Sequence, residues 1–461
     1  MKDIMIKFLR SWKTTPEQEY QDILEWVSRR NREVVVDIRK NTLSESGFWF
    51  YDNENGDIRN KNGSFFRVRG LRQLCDGETV LEQPVLIQDE IGYLGILCKE
   101  IDGVMHFLMQ AKIEPGNVNN IQLSPTIQAT KSNFTQKHGG KKPPYLDYFL
   151  NASPENIVVD QIQSEQSSRF LGKRNRNIIV LTDEDVELLP SHRWMTLGTI
   201  KKLMKIDNLV NMDTRTVISC IPFSQYCYSQ DELSKIRELF TYDAFFRSIY
   251  EPYDYKEFVK VYRYINDHRM LHSCENHLVP LTELNNWEVS DNEIVNINGY
   301  ALKVVFCDIE IEGREVTHWS QPLFEAMGKA IFGLIVADID GKRRFLVQAK
   351  SEAGCFDSVE LAPTVQLEAF VSEEEYNKMD KLFFSLINSG ATILNDVILS
   401  EEGGRFYHEE NRNVIIYVAP EDIPQLPEGY FWLDFNMLNS MVQYNNVLNI
   451  QLRNLLSILE I

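Results

Sequence analysis

Apolar residues in this chain gather in short runs rich in β-branched and aromatic side chains, most of them closed by a turn signal. "YLGILCKEIDG" (93–103) and "HFLMQAK" (106–112) flank Asp102-Gly103, which predicts two strands joined by a tight hairpin. "AIFGLIVADIDGKRRFLVQAK" (330–350) repeats the pattern around Asp340-Gly341. "NIIVLT" (177–182) and "NVIIYVA" (413–419) are continuous apolar runs, as expected of strands buried on both faces. Helical spacing marks "SEEEYNKMDKLFFSLINSG" (372–390), which stops at glycine. Helix-like segments also close each half of the chain, "LGTIKKLMKI" (197–206) and "LNIQLRNLLSILEI" (448–461). The stretch 229–267 predicts helices crossing between domains. Strands and helices mixed in this way predict an α+β fold of the α/β-sandwich type.

The two hairpins belong to a longer repeat. Residues 92–128 align with 330–366 without a gap, and fifteen of the 37 positions are identical. Gln83-Pro84 matches Gln321-Pro322 and Trp49 matches Trp287 at the same offset. "SEQSSRF" (164–170) matches "SEEGGRF" (400–406), and Asn211, Arg215 and Ser219 match Asn449, Arg453 and Ser457. Two copies at so long a period predict two globular halves rather than a solenoid, placed at 1–225 and 226–461.

Composition narrows the function. With 461 residues, 43% of them hydrophobic, the chain can build more than one core. A net charge of −19 disfavours nucleic acid as a partner, but a local basic cluster could still hold a small phosphorylated ligand. No apolar run is long enough for a membrane span, and the N-terminus does not resemble a signal peptide. Seven cysteines, an odd count without C-x-x-C, predict reduced thiols and a cytoplasmic protein.

"GDIRNKNGSFFRVRG", "EQPVLIQDEIGYLG", "FLMQAKIEPGNVNNIQLSPTIQATKSNF", "QSEQSSRF" and "FLVQAKSEAGCFDSVELAPTVQ" together resemble the NDP-hexose 2,3-dehydratases, from about Asp37 to the C-terminus. The resemblance implies two Nudix-like domains with mixed sheets flanked by helices. It implies a lyase of deoxysugar biosynthesis that removes the carbon-2 hydroxyl of dTDP-4-keto-6-deoxyglucose, giving a 3,4-diketo-2,6-dideoxy sugar. It further implies no cofactor, a homodimer and a downstream 3-ketoreductase. Two other readings remain open, a Nudix-type pyrophosphohydrolase and a non-catalytic tandem binder of nucleotide-sugars. The first would need a carboxylate-rich metal helix after "VELAPTVQ", and neither copy carries R-E-x-x-E-E there. No G-x-G-x-x-G nicotinamide fingerprint is present either.

Elimination next to a ketone needs a base, an acid and a group for the enolate oxygen. Repeated polar residues are the candidates. Lys112/Lys350 and Glu114/Glu352 follow a strand, where a structural salt bridge is the competing reading. Thr126/Thr364 and Gln128/Gln366 follow a proline at an expected strand-to-helix turn, where Thr could simply cap. Glu165/Glu401 with Arg169/Arg405 and Arg176/Arg412 suit anion recognition beside an acid or base, unless they form a surface ion-pair network. "GKRNR" (172–176) adds Arg174 and a basic patch to the first copy. The second copy adds His408, while "THWSQP" supplies His318 and Trp319. By count of titratable groups the second half is the expected catalytic one, with Glu401 and His408 foremost. "HRMLHSCENH" gathers His268, His272, Cys274 and His277, without a second ligand pair at zinc-finger spacing.

Overall fold

In the computed structural model, which describes residues 1–130, 142–312, 316–423 and 425–461, both predicted hairpins form. Asp102 and Gly103, like Asp340 and Gly341, have positive φ, the backbone that a two-residue hairpin turn demands. Each half builds a seven-stranded mixed sheet on its hairpin. In the first, Gly92–Ile101 pairs antiparallel with Val104–Ile113 and parallel with Arg174–Leu181. In the second, Ile331–Ile339 pairs in the same two senses with Lys342–Ser351 and Glu410–Tyr417. Helices cover these sheets. Lys378–Asn388 starts at Asn377, whose side chain and Asp380 form a capping box, so Ser372–Glu375 stay outside the helix. The expected crossing helices are Gln230–Arg237, Asp243–Tyr250 and Tyr255–Leu271. No described helix is long and apolar enough to cross a membrane.

The halves exchange strands. Val36–Asn41 of the first half pairs with Leu302–Ile311 of the second. Its counterpart at the repeat offset, Cys274–Val279 of the second half, pairs with Arg67–Cys75 of the first. Loops cross as well. Gly116 N–H donates to Gly403 O at 2.7 Å, and Gly354 N–H donates to Ser167 O at 3.0 Å. Arg215 Nη2 donates to Ser400 O and Arg453 Nη2 to Ser164 O, and both arginines are buried. Phe170 and Phe406 meet edge to face where the halves join.

One expectation is corrected here. The odd cysteine count predicted reduced thiols, but Cys75 and Cys274 form a disulfide, with Cα atoms 4.0 Å apart. The exchanged strand brings two residues 199 positions apart into direct register, which spacing along the chain could not reveal. The same bond removes the Cys274 thiolate from the His-rich segment, where His268 stacks on His272 and His277 faces Glu275.

Candidate active site

Strand Val104–Ile113 delivers Lys112 to the edge of the first sheet, and the following turn presents Glu114 beside it. Gln128 Nε2 donates to Glu114 Oε1 at 2.9 Å, and Lys112 Nζ lies 3.5 Å from the same oxygen. Asn211 Nδ2 in turn donates to Gln128 Oε1. The loop over this triad comes from the other half. A side-chain carbon on Gly116 would lie 1.6 Å from Phe406 O, so glycine is what lets the 402–406 loop seat there. The seat brings Glu402 and Arg405 to the triad. A Cβ on Gly404 would stand 3.0 Å from Glu402 Oε1 and 3.3 Å from Glu114 Oε1, so the two carboxyls converge on one spot.

These groups line a cavity of about 550 Å³, within the range of small-ligand sites. Its cations are Lys112, Lys173 and Arg405, its carboxyls Glu114, Asp213 and Glu402, and its aromatic walls include Trp49, Phe65 and Trp319. The Arg405 guanidinium packs on Phe65 and Phe66 and donates to Gln88 Oε1 and to its neighbour Gly404 O, all neutral partners. Burial pushes the Glu402 carboxyl up against the pull of Arg405, and burial followed by Glu402, Glu165 and Glu114 pushes Asp213 up further. Burial pulls the Lys173 ammonium down. Behind the wall Glu165 accepts from Asn175 Nδ2 at 2.8 Å, and burial followed by Glu402 pushes it up to about 7.

The second copy builds the same frame with different charges. Gln366 Nε2 donates to Glu352 Oε1 at 3.0 Å, Lys350 sits beside them, and Asn449 donates to Gln366. Burial pushes Glu352 up to about 7. Arg169, the equivalent of Arg405, is buried and paired with Glu368 at 2.8 Å and Glu409 at 3.2 Å. Those glutamates replace Thr130 and Lys173 of the first copy, while the amides Gln166 and Gln451 replace Glu402 and Asp213. The second site thus neutralises its own arginine with its own carboxylates.

Most of the other predicted residues fall outside the cavity. Glu401 is held by Asn411 Nδ2 at 2.8 Å, near Arg215, and burial followed by Glu409 pushes it up to about 7. His408 is exposed and stacks on Tyr407. Arg176 and Arg412 make surface pairs with Asp160 and Asp396, the ion-pair arrangement that was the competing reading of these residues. Arg174 packs on Phe356. Thr126 and Thr364 are buried between strands, where each hydroxyl accepts a backbone N–H and donates to a carbonyl (Leu97 and Leu108, Ile335 and Leu346). The expected turn into a helix is a turn into short strands, Ile127–Ala129 and Val365–Leu367, so neither Thr caps a helix or reaches the cavity. His318 and Trp319 do line it, with His318 also beside Asp308 at 3.0 Å. Sequence reasoning missed Asp213, and it flagged Lys173 only as part of the basic "GKRNR" patch. Both stand where the two copies differ inside otherwise matching segments, and that divergence was the available signal.

A duplicated α+β protein with an open cavity, in which cations and elevated carboxyls converge, has the equipment of an enzyme that moves protons on a small anionic ligand. The NDP-hexose 2,3-dehydratase family model matches residues 20–221 and 259–459, and the chain belongs to that family. It is 38% identical over 436 residues to a dTDP-4-dehydro-6-deoxy-alpha-D-glucopyranose 2,3-dehydratase of Saccharopolyspora spinosa, covering 94% of this chain and 89% of the relative. Proteins of the same description from Streptomyces violaceoruber and Amycolatopsis orientalis are 36% and 34% identical, over 94% and 95% of this chain and 95% and 89% of theirs. Such membership makes the chain a sugar-nucleotide dehydratase, a carbon–oxygen lyase.

Proposed function

We propose that the first-half cavity binds dTDP-4-keto-6-deoxyglucose and eliminates its carbon-2 hydroxyl. One observation carries the reading. Glu402 and Arg405 of the second copy meet Lys112 and Glu114 of the first in an open cavity, whereas the equivalent Arg169 is already paired by Glu368 and Glu409. The count of titratable groups had favoured the second half with Glu401 and His408, and the crossed loops move the proposal to the first. Arg405 and Lys173 take the diphosphate, since a guanidinium fork matches phosphate oxygens. Lys112 faces the carbon-4 oxygen, where enolate charge develops. Glu402 takes the carbon-3 proton, its raised pKa suiting a base that works near neutrality. Lys112, Glu114 and Gln128 have exact counterparts in the self-paired copy, so they serve as frame and electrostatics rather than as what distinguishes the active copy.

The finer expectations stand beside this as proposals: a Nudix-like fold in each half with the boundary at 225/226, a homodimer, a cytoplasmic setting and a downstream 3-ketoreductase. The protein incubated with freshly made dTDP-4-keto-6-deoxyglucose should consume it, the diketo product being trapped by a 3-ketoreductase. Unchanged substrate with folded protein refutes the reading, and EDTA-sensitive release of dTMP would replace it with pyrophosphate hydrolysis.

A further inference from the structure

Asp213 has no role in the reaction as drawn so far. It lies at the second position of helix Met212–Ser219, which Asn211 caps, and its side chain lines the cavity. It is 2% exposed, and neither carboxyl oxygen has a hydrogen-bond partner among the described residues. A buried carboxyl without partners is costly to ionise, so it stays neutral unless something in the cavity uses it. The charged groups that face it are Glu402, Glu165 and Glu114, opposed by the Lys112 ammonium and the Arg215 guanidinium. Burial first, and then the three carboxyls, hold its proton on and set its pKa well above the ordinary value. Around it the repeat is kept, Asn211 and Arg215 matching Asn449 and Arg453, but at this position the self-paired copy has Gln451. An amide can hydrogen-bond but cannot deliver a proton.

We infer that Asp213 is the general acid of the elimination, giving its proton to the departing carbon-2 hydroxyl. The inference rests on the proposed function above. Glu402 removes the carbon-3 proton, the C2–C3 double bond forms, the C2–O bond breaks, and the oxygen leaves as water with the Asp213 proton. The enol then takes a proton on carbon 2 from Glu402 and returns its hydroxyl proton to Asp213, which leaves the 3,4-diketone and both carboxyls as they began. Two carboxyls set apart by their surroundings thus act as base and acid.

Asp213→Asn keeps the shape and removes the proton. Turnover of dTDP-4-keto-6-deoxyglucose should fall ~10²-fold or more, as for loss of a positioned acid. Deuterium from solvent should still enter carbon 3, because Glu402 remains. The 2-deoxy-2-fluoro analogue should release fluoride within a few-fold of the unsubstituted enzyme, since fluoride leaves without a proton. Thermal melting and dTDP affinity verify folding, and Asp213→Gln, which copies the sister half, serves if the Asn variant is unstable. Equal losses for the hydroxyl and fluoro substrates, or undiminished turnover of the hydroxyl substrate, overturn the assignment. If the unsubstituted enzyme neither eliminates nor exchanges, it is the proposed function that fails.

Discussion

Gly116 and Gly354 allow the same perturbation to be applied to the two copies. An added methyl at Gly116 would sit 1.6 Å from Phe406 O and 2.6 Å from its carbonyl carbon, while at Gly354 it would sit 1.8 Å from Phe170 O and 2.2 Å from Ser167 O. Neither glycine has positive φ, so alanine is not strained by its own backbone and the clash is the whole effect. The obstacle is main chain and cannot rotate away. Each crossing loop must retreat by an ångström or more, at ~1–3 kcal/mol for overpacking and ~0.5–1.5 kcal/mol for each hydrogen bond lost. At Gly116 those bonds are Gly116 N–H to Gly403 O and His408 N–H to Gly116 O. Both variants should therefore lose about 2–6 kcal/mol in urea unfolding. Activity should separate them. Gly116→Ala displaces the loop bearing Glu402 and Arg405 and should cut turnover per folded molecule ~10²-fold or more, as a misplaced base does. Gly354→Ala displaces Arg169 within the self-paired copy and should leave turnover per folded molecule within a few-fold. Equal losses per folded molecule in both variants would refute the claim that only the first-half cavity reacts.

Four other outcomes follow from the site. Glu402→Gln should lower turnover by ~10² or more, while Glu401→Gln and His408→Asn stay within a few-fold, measured with the trapping assay. Arg405→Gln should weaken dTDP binding by ~1.5–3 kcal/mol in calorimetry, as a lost hydrogen bond to a charged group does. Arg169→Gln should leave dTDP affinity unchanged but destabilise the fold by ~3–5 kcal/mol, because Glu368 and Glu409 lose their buried partner. Glu352, raised from 4.5 to about 7, binds more proton folded than unfolded, so its contribution is full below pH 4.5 and lost as pH rises through about 7. Glu352→Gln should flatten that fall in a pH series of urea melts and leave turnover at neutral pH unchanged.

How much of this was written along the chain depended on the range of the interaction. The hairpins at Asp102-Gly103 and Asp340-Gly341 are local, and turn chemistry gave them away. The duplication was legible because side chains such as Lys112 and Lys350 face similar surroundings in both copies. Pairing of Val36–Asn41 with Leu302–Ile311 was not, since alternation of side chains names a strand's faces and never its partner. The same blindness hid the Cys75–Cys274 bond, and charge counting along the chain could not show that the 402–406 loop sits over the first copy. Thr126 misled for a smaller reason, as a proline–threonine pair serves a short strand as well as a helix start. Asp213 went unseen because attention to residues kept in both copies passes over those kept in one.

The crossed loops also say how such a gene can drift. Each site is inherited from both copies at once, the frame from one and the lid from the other. On the proposed assignment, selection for the reaction falls on a mosaic, the 112–128 stretch, Lys173 and Asp213 of the first copy together with the 402–406 stretch of the second. The complementary mosaic would then be free of that demand and answer only to folding. Lineages should accumulate substitutions in Lys350, Glu352 and the 166–169 loop as a set, and exchange of whole halves between relatives should fail unless frame and lid travel together.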